Sequence, residues 1–175
     1  KTYNVQDKVT LFYNDYNTYF GIQQTLNLVN FINKDEPEKI CGGIGMQSHV
    51  DIKVPTIELY GTALEKFLAA GYEVQITELD VTINYDTNGS YSYADEKETN
   101  ADQAKYVGQL MKTILEKNRS RDKNVNPKGV TGITLWGLYD TISWRASCSP
   151  LLFDTGITDP KASFYEFINA AKSMG

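Results

Sequence analysis

Apolar residues fall along this chain in two alternating rhythms, a short dense run followed by a spaced stripe, and the pair occurs four times. The dense runs are Val9 to Asn14, Gly43 to His49, Glu73 to Val81 and Gly132 to Leu138, each of strand length. The stripes have helical spacing. Ile22, Leu26, Val29 and Ile32 share one helix face, and Ile57, Tyr60, Leu64, Phe67 and Leu68 share a second. Pro55 lies near the start of the second helix and Gly71 just past its end, the positions those residues favour. Ala104, Val107, Met111, Ile114 and Leu115 form a third face. Phe164, Phe167, Ile168 and Ala171 form a fourth, for which Asp159-Pro160 is expected to supply the cap and first turn.

Strand-helix alternation predicts an α/β fold with a parallel sheet and right-handed crossovers. Four βα units fit either a small open sheet or half of an eightfold barrel. The strand ends separate these readings, because barrel chemistry is carried at the C-terminal ends of several strands. Here every run ends in polar or aromatic groups. The first ends in Asn14 and Asp15, the second in Gln47 and His49, and the third in Glu78 and Asp80. The fourth ends in Trp136, followed by Trp144 and Arg145. No glycine-rich phosphate loop is present. The half-barrel is the expected architecture.

The third run carries the sharpest chemistry. In a regular strand Val74, Ile76, Glu78 and Asp80 share one face; the first two are expected to fill a barrel interior and the acids to reach its mouth. A strand running out into solvent would also end in acids. Two on an inward face argue against that, since a buried carboxylate needs a partner. Glycoside hydrolysis needs two carboxyl groups across the scissile bond. Neighbours on one strand cannot flank a sugar from both sides, so Glu78 is the candidate catalytic group and Asp80 a supporting one. His49, at the end of the preceding run, is placed to hydrogen-bond Glu78, and Gln47 has the same parity. Trp136 and Trp144 around a turn suit a sugar platform, with Arg145 as a donor. Asn14, Asp15 and Tyr16 read equally as site residues or as a turn and helix cap. The polar loop Asn84 to Tyr93 is expected to flank the cleft.

Composition narrows the classes. The 175 residues are 41% hydrophobic and 12% aromatic, with 12 tyrosines and 2 tryptophans, so there is material for a core and for sugar-stacking rings. A net charge of −5 and the lack of a basic cluster beyond Lys117 to Lys123 argue against a nucleic-acid partner. No apolar run approaches a membrane span. Two cysteines and one histidine make no metal-ligand pattern, and no metal or other cofactor is expected.

Five stretches now carry a resemblance: Leu11-Phe12-Tyr13-Asn14-Asp15-Tyr16-Asn17, Gly43-Ile44-Gly45-Met46-Gln47-Ser48-His49, Ile76-Thr77-Glu78-Leu79-Asp80, Thr134-Leu135-Trp136-Gly137 and Pro150-Leu151-Leu152-Phe153-Asp154. In this order and spacing the chain resembles the endo-1,4-β-xylanases of glycoside hydrolase family 10 over nearly its whole length. The resemblance implies that the four units are strands five to eight of a (β/α)8 barrel. It implies that Glu78 is the nucleophile of a retaining reaction, that His49 is its hydrogen-bond partner, and that Asn14, Gln47, Trp136, Trp144 and Arg145 lie at the sugar subsites. It further implies xylan or xylo-oligosaccharide as ligand and an extracellular, secreted location. The family's acid/base glutamate, on strand four after an Asn, has no counterpart here, so the N-terminal half of the barrel is expected to be missing. A lone half-barrel would expose strand edges and apolar interior, and self-association or pairing with an N-terminal half is expected. The alternative function is a non-catalytic half-barrel that binds xylo-oligosaccharide. Cys41 and Cys148 fall at opposite ends of the barrel in this arrangement and are expected to be free thiols.

Overall fold

The computed structural model describes residues 9–84 and 99–173. In chain order the elements are strand β1 (Leu11–Asp15), helix α1 (Ile22–Ile32), strands β2 (Cys41–Met46) and β3 (His49–Asp51), helix α2 (Ile57–Ala69), strand β4 (Glu73–Thr82), helix α3 (Asn100–Ser120), strand β5 (Val130–Leu135) and helix α4 (Ala162–Ser173). All strand pairings between them are parallel. β1 pairs with β2, β2 with the first half of β4, β3 with the last residues of β4, and β4 with β5. β3 thus continues the line of β2 after a break at Gln47 and Ser48, so the sheet is four lines wide.

The helices form where the stripes predicted them. Thr56 caps α2, accepting a hydrogen bond from the Leu59 N–H, and Thr99 with Asp102 makes a capping box on α3. Gly71 takes φ +78 just beyond α2, the left-handed stop that glycine allows. α4 differs from expectation. It begins at Ala162, while Pro160 forms an antiparallel bridge with Phe153 and the Asp159 carbonyl accepts from Asp154 N–H. Asp159-Pro160 therefore closes a loop ladder and does not cap the helix.

One buried cluster joins sheet and helices. Ile44, Met46, Val74 and Ile76 are fully buried with Tyr60, Leu64, Phe67, Leu110 and Ile114. This corrects the placement of Val74 and Ile76: they face the helices. The opposite face carries Phe12, Asn14 and Gln75, leaning over Gly43, Gly45 and Gly132, where a Cβ would collide with or touch them. Strict alternation fails further along β4. Between Ile76 and Leu79 the strand spends three residues while β5 spends two, from Ile133 to Leu135. This extra residue is a β-bulge. Thr77 and Glu78 consequently both reach Asn14 on the open face.

Candidate active site

Glu78 sits at the C-terminal end of the sheet, placed there by the bulge. Its backbone N–H donates to the Gln47 carbonyl at 2.9 Å. Both carboxylate oxygens are engaged: Asn14 Nδ2 donates to Oε1 at 3.0 Å, and His49 Nε2 lies 3.1 Å from Oε2. Thr77 Oγ1 donates to Asn14 Oδ1 at 2.6 Å, which leaves the amide's N–H side toward Glu78. Each carboxylate oxygen can accept twice, so a lone pair on each stays open.

His49 bridges two acids. Its Nδ1 lies 2.9 Å from Asp80 Oδ2, which also accepts from Trp144 Nε1 at 2.8 Å. A carboxylate only accepts, so with both acids ionised each contact requires a proton on the ring. The Asp80 side chain is wholly buried, and Arg145 Nη1 stands 3.6 Å from its Oδ1. Burying a carboxylate is costly unless it is paired, and three partners do so here. Arg145 also lies 4.3 Å over the Trp144 ring, and the Trp144 and His49 rings meet edge-on at 4.9 Å. Trp136, 6.1 Å from His49, and Trp144 are 46% and 61% exposed, so aromatic surface remains available beside the acid. Gln47 is half-buried at the same mouth.

The Trp144 and Arg145 loop is fixed from behind. Asp140 Oδ2 and Lys161 Nζ pair at 2.8 Å with side chains 5% and 3% exposed. Asp140 also accepts from Leu151 N–H, while Lys161 and Gln103 both donate to the Ser149 carbonyl. Burial pushes the Asp140 carboxyl up and the Lys161 ammonium down, each opposed by the partner.

Asn14, Gln47, His49, Glu78, Asp80, Trp136, Trp144 and Arg145 thus come together at one end of the sheet. Asp15 does not join them. It takes the Tyr13 hydroxyl and the Tyr16 N–H, a turn arrangement, whereas Asn14 contacts Glu78. The hydrogen bond to Asp15 and then burial raise the Tyr13 phenol to about 12. Sequence reasoning missed Thr77, the direct Asn14–Glu78 contact and the Asp140–Lys161 pair. The bulge hid the first two, and the third joins residues 21 apart inside an irregular loop. Beyond Asn84, the loop Asn84 to Tyr93 lies outside the described residues. Cys41 and Cys148 are both buried and are not joined in a disulfide, as expected.

The sequence profile of Glycosyl hydrolase family 10 matches residues 2–170. The chain belongs to that family. Among its relatives, an endo-1,4-beta-xylanase A of Butyrivibrio fibrisolvens is 38% identical over 159 residues, covering 90% of this chain and 33% of the relative. A beta-1,4-xylanase of Dictyoglomus thermophilum is 33% identical over 175 residues, covering 95% of this chain and 47% of the relative. This family 10 chain therefore spans less than half the length of either. A thermostable mutant xylanase from Cellvibrio japonicus superposes with a TM-score of 0.78 at 27% identity, over 97% of this chain and 51% of that one. The four parallel strands and their helices are accordingly half of a TIM barrel.

Proposed function

We propose that this chain supplies strands five to eight, and the nucleophile, of a secreted retaining endo-1,4-β-xylanase. One observation carries the reading: a carboxylate held on both oxygens, by an amide and by an imidazole shared with a buried second acid, at the open mouth of the parallel strands. That grip orients Glu78 while leaving lone pairs free for an anomeric carbon. Attack by Glu78 breaks the glycosidic C–O bond as a second carboxyl group protonates the leaving oxygen. The resulting glycosyl ester is cleaved by water, which the second group deprotonates, and Glu78 departs as carboxylate. Asp80 cannot be the second group, because its side chain is buried and committed to His49 and Trp144. The complementary half-barrel must bring it, about 5 to 5.5 Å from Glu78.

The surface supports such a partner. Among the described residues, β1 and β5 each lack a neighbour on one side. The flanking helical layer exposes Leu28 and Phe31 at the α1 end and Tyr165 at the α4 end, with Phe31 74% exposed. A second copy of this chain could cover these edges but would bring no acid/base group of the required kind.

The test is reassembly. This chain alone is expected to release no reducing sugar from xylan at a normal rate, and mixing it with the strands-one-to-four half is expected to restore turnover. A 2-fluoro xyloside should then label Glu78 as a mass-shifted peptide. Full activity from the purified chain, or label elsewhere, overturns the assignment. The binding-only alternative draws on the exposed Trp136 and Trp144. Calorimetry with xylotetraose beside the reducing-sugar assay separates it, since heat of binding without hydrolysis by the assembled barrel would favour it.

A further inference from the structure

Ser48 is the break between β2 and β3, and it is an unusual residue to find there. Its φ is +66, the left-handed region where the Cβ of a serine crowds the backbone. It is 1% exposed, so water does not compensate it. Glycine would take this backbone freely. What a glycine lacks is the hydroxyl. Ser48 Oγ donates to the Met46 carbonyl at 3.2 Å and lies 2.8 Å from the hydroxyl of Tyr60, on α2. A serine has one hydroxyl proton, and the Met46 carbonyl takes it. Tyr60 must then be the donor in the second contact. Burial raises the Tyr60 phenol well above its ordinary value, so it keeps its proton.

The consequences of this break fall on the active site. Ser48 separates Gln47, whose carbonyl holds the Glu78 N–H, from His49, whose ring spans Glu78 and Asp80. The Ser48 carbonyl itself accepts from Asp80 N–H at 3.3 Å. Strain that persists beside reacting groups needs something to enforce it, and the enforcing contact here comes from the helix behind the sheet. Tyr60 is fully buried, with the Tyr19 ring 5.9 Å away and tilted against it.

We propose that Tyr60 is a positioning residue: its hydroxyl locks Ser48 in the left-handed turn that delivers the His49 ring between Glu78 and Asp80. Tyr60 touches neither sugar nor nucleophile and acts only through Ser48 and His49.

The kinetic half of the test rests on the xylanase reading; the spectroscopic half does not. His49 is the single histidine of the chain. In an assembled barrel whose only heavy-nitrogen label is histidine of this half, one imidazole reports. Tyr60→Phe keeps the ring volume and removes the donor. It is expected to move the His49 ring nitrogen shifts, to speed exchange of its ring protons with water, and to lower kcat roughly fivefold, the loss of one ordinary hydrogen bond, with KM unchanged. Ser48→Ala keeps the Cβ that disfavours the left-handed backbone but removes the hydroxyl that Tyr60 holds, and should give the same changes. The double variant should be no worse than either single one, because both break the same contact. If Tyr60→Phe fails to assemble, Ser48→Ala decides on the same criteria. Unchanged ring signals and kcat, or a fall in melting temperature alone, overturn the proposal. Should the native barrel not hydrolyse xylan, the xylanase reading fails, and the imidazole signals still decide the role of Tyr60.

Discussion

β4 carries two glutamates, one at its first residue and one just past its middle, and the two live in opposite ways. Glu73, at the N-terminal end, takes the Lys128 ammonium on one oxygen and the Thr131 hydroxyl on the other, both at 2.7 Å, and Lys128 also reaches Thr10. Burial opposes its ionisation, but the bonds from Lys128 and Thr131 outweigh that and hold the carboxyl below the usual range. Among the described residues, Glu78, five residues on, makes no salt bridge with a lysine or arginine. The nearby guanidinium of Arg145 stands against Asp80 instead. Glu73 is a neutralised anion that ties β4 to the segments leading into β1 and β5. Glu78 is oriented without being spent, so it can still form a bond. Identity and strand do not separate structural from reactive carboxylates here; the partners do, a lysine ammonium at Glu73 and, at Glu78, a neutral amide with an imidazole shared with Asp80.

Exchanging each glutamate for its amide is the most direct way to break this comparison. In the assembled barrel Glu78→Gln is expected to lower kcat by at least about 10⁴-fold. Glu73→Gln should leave kcat within about twofold and cost about 1 kcal/mol of stability, read from denaturant midpoints. Comparable losses of turnover from both would erase the distinction. Asp80→Asn comes next, at roughly 10³-fold in kcat, because an amide cannot accept from His49 and Trp144 on one atom without turning its own N–H groups toward Arg145. The mouth also depends on an ion pair, set back from the chemistry. Lys161→Met strands the buried Asp140 and should cost about 3 kcal/mol by the same measure. Thermal stability within a degree of the native barrel would show that the pair does not hold the loop.

Much of this was legible in the sequence. The four stripes placed all four helices, and the strand-end clusters placed Glu78, His49, Asp80 and both tryptophans at one mouth. The errors have local causes. Alternation gave Val74 and Ile76 the wrong face because a bulge at Thr77-Glu78 resets the parity, and no residue in Ile76-Thr77-Glu78-Leu79 signals a bulge as a glycine would. The same bulge brings Thr77 and Glu78 together onto Asn14, a pairing that period-2 reasoning forbids. Ser48 was invisible for a related reason. Its left-handed backbone depends on Tyr60, a residue that reads in sequence only as part of an apolar stripe. Asp159-Pro160 misled because cap chemistry also suits a loop closing onto Phe153.

The smallest effect tests the electrostatic side of the comparison. Glu73 has a folded-state pKa below its ordinary value. Below that ordinary value the unfolded chain binds a proton that the native one refuses. Its contribution is therefore present at neutral pH and is lost as pH falls through the ordinary carboxyl value toward the folded one. Asp140 is shifted the other way, so its contribution is present at low pH and lost as pH rises. The two partly cancel in the native protein, which would mask either in a single titration. They separate in a difference. Native stability minus that of Glu73→Gln, followed by denaturant midpoint between about pH 3 and pH 7, keeps only the Glu73 term and should shrink steadily toward acid. A difference that stays flat would mean that Lys128 and Thr131 do not favour the charged form, and that Glu73 is no more committed to its partners than Glu78 is.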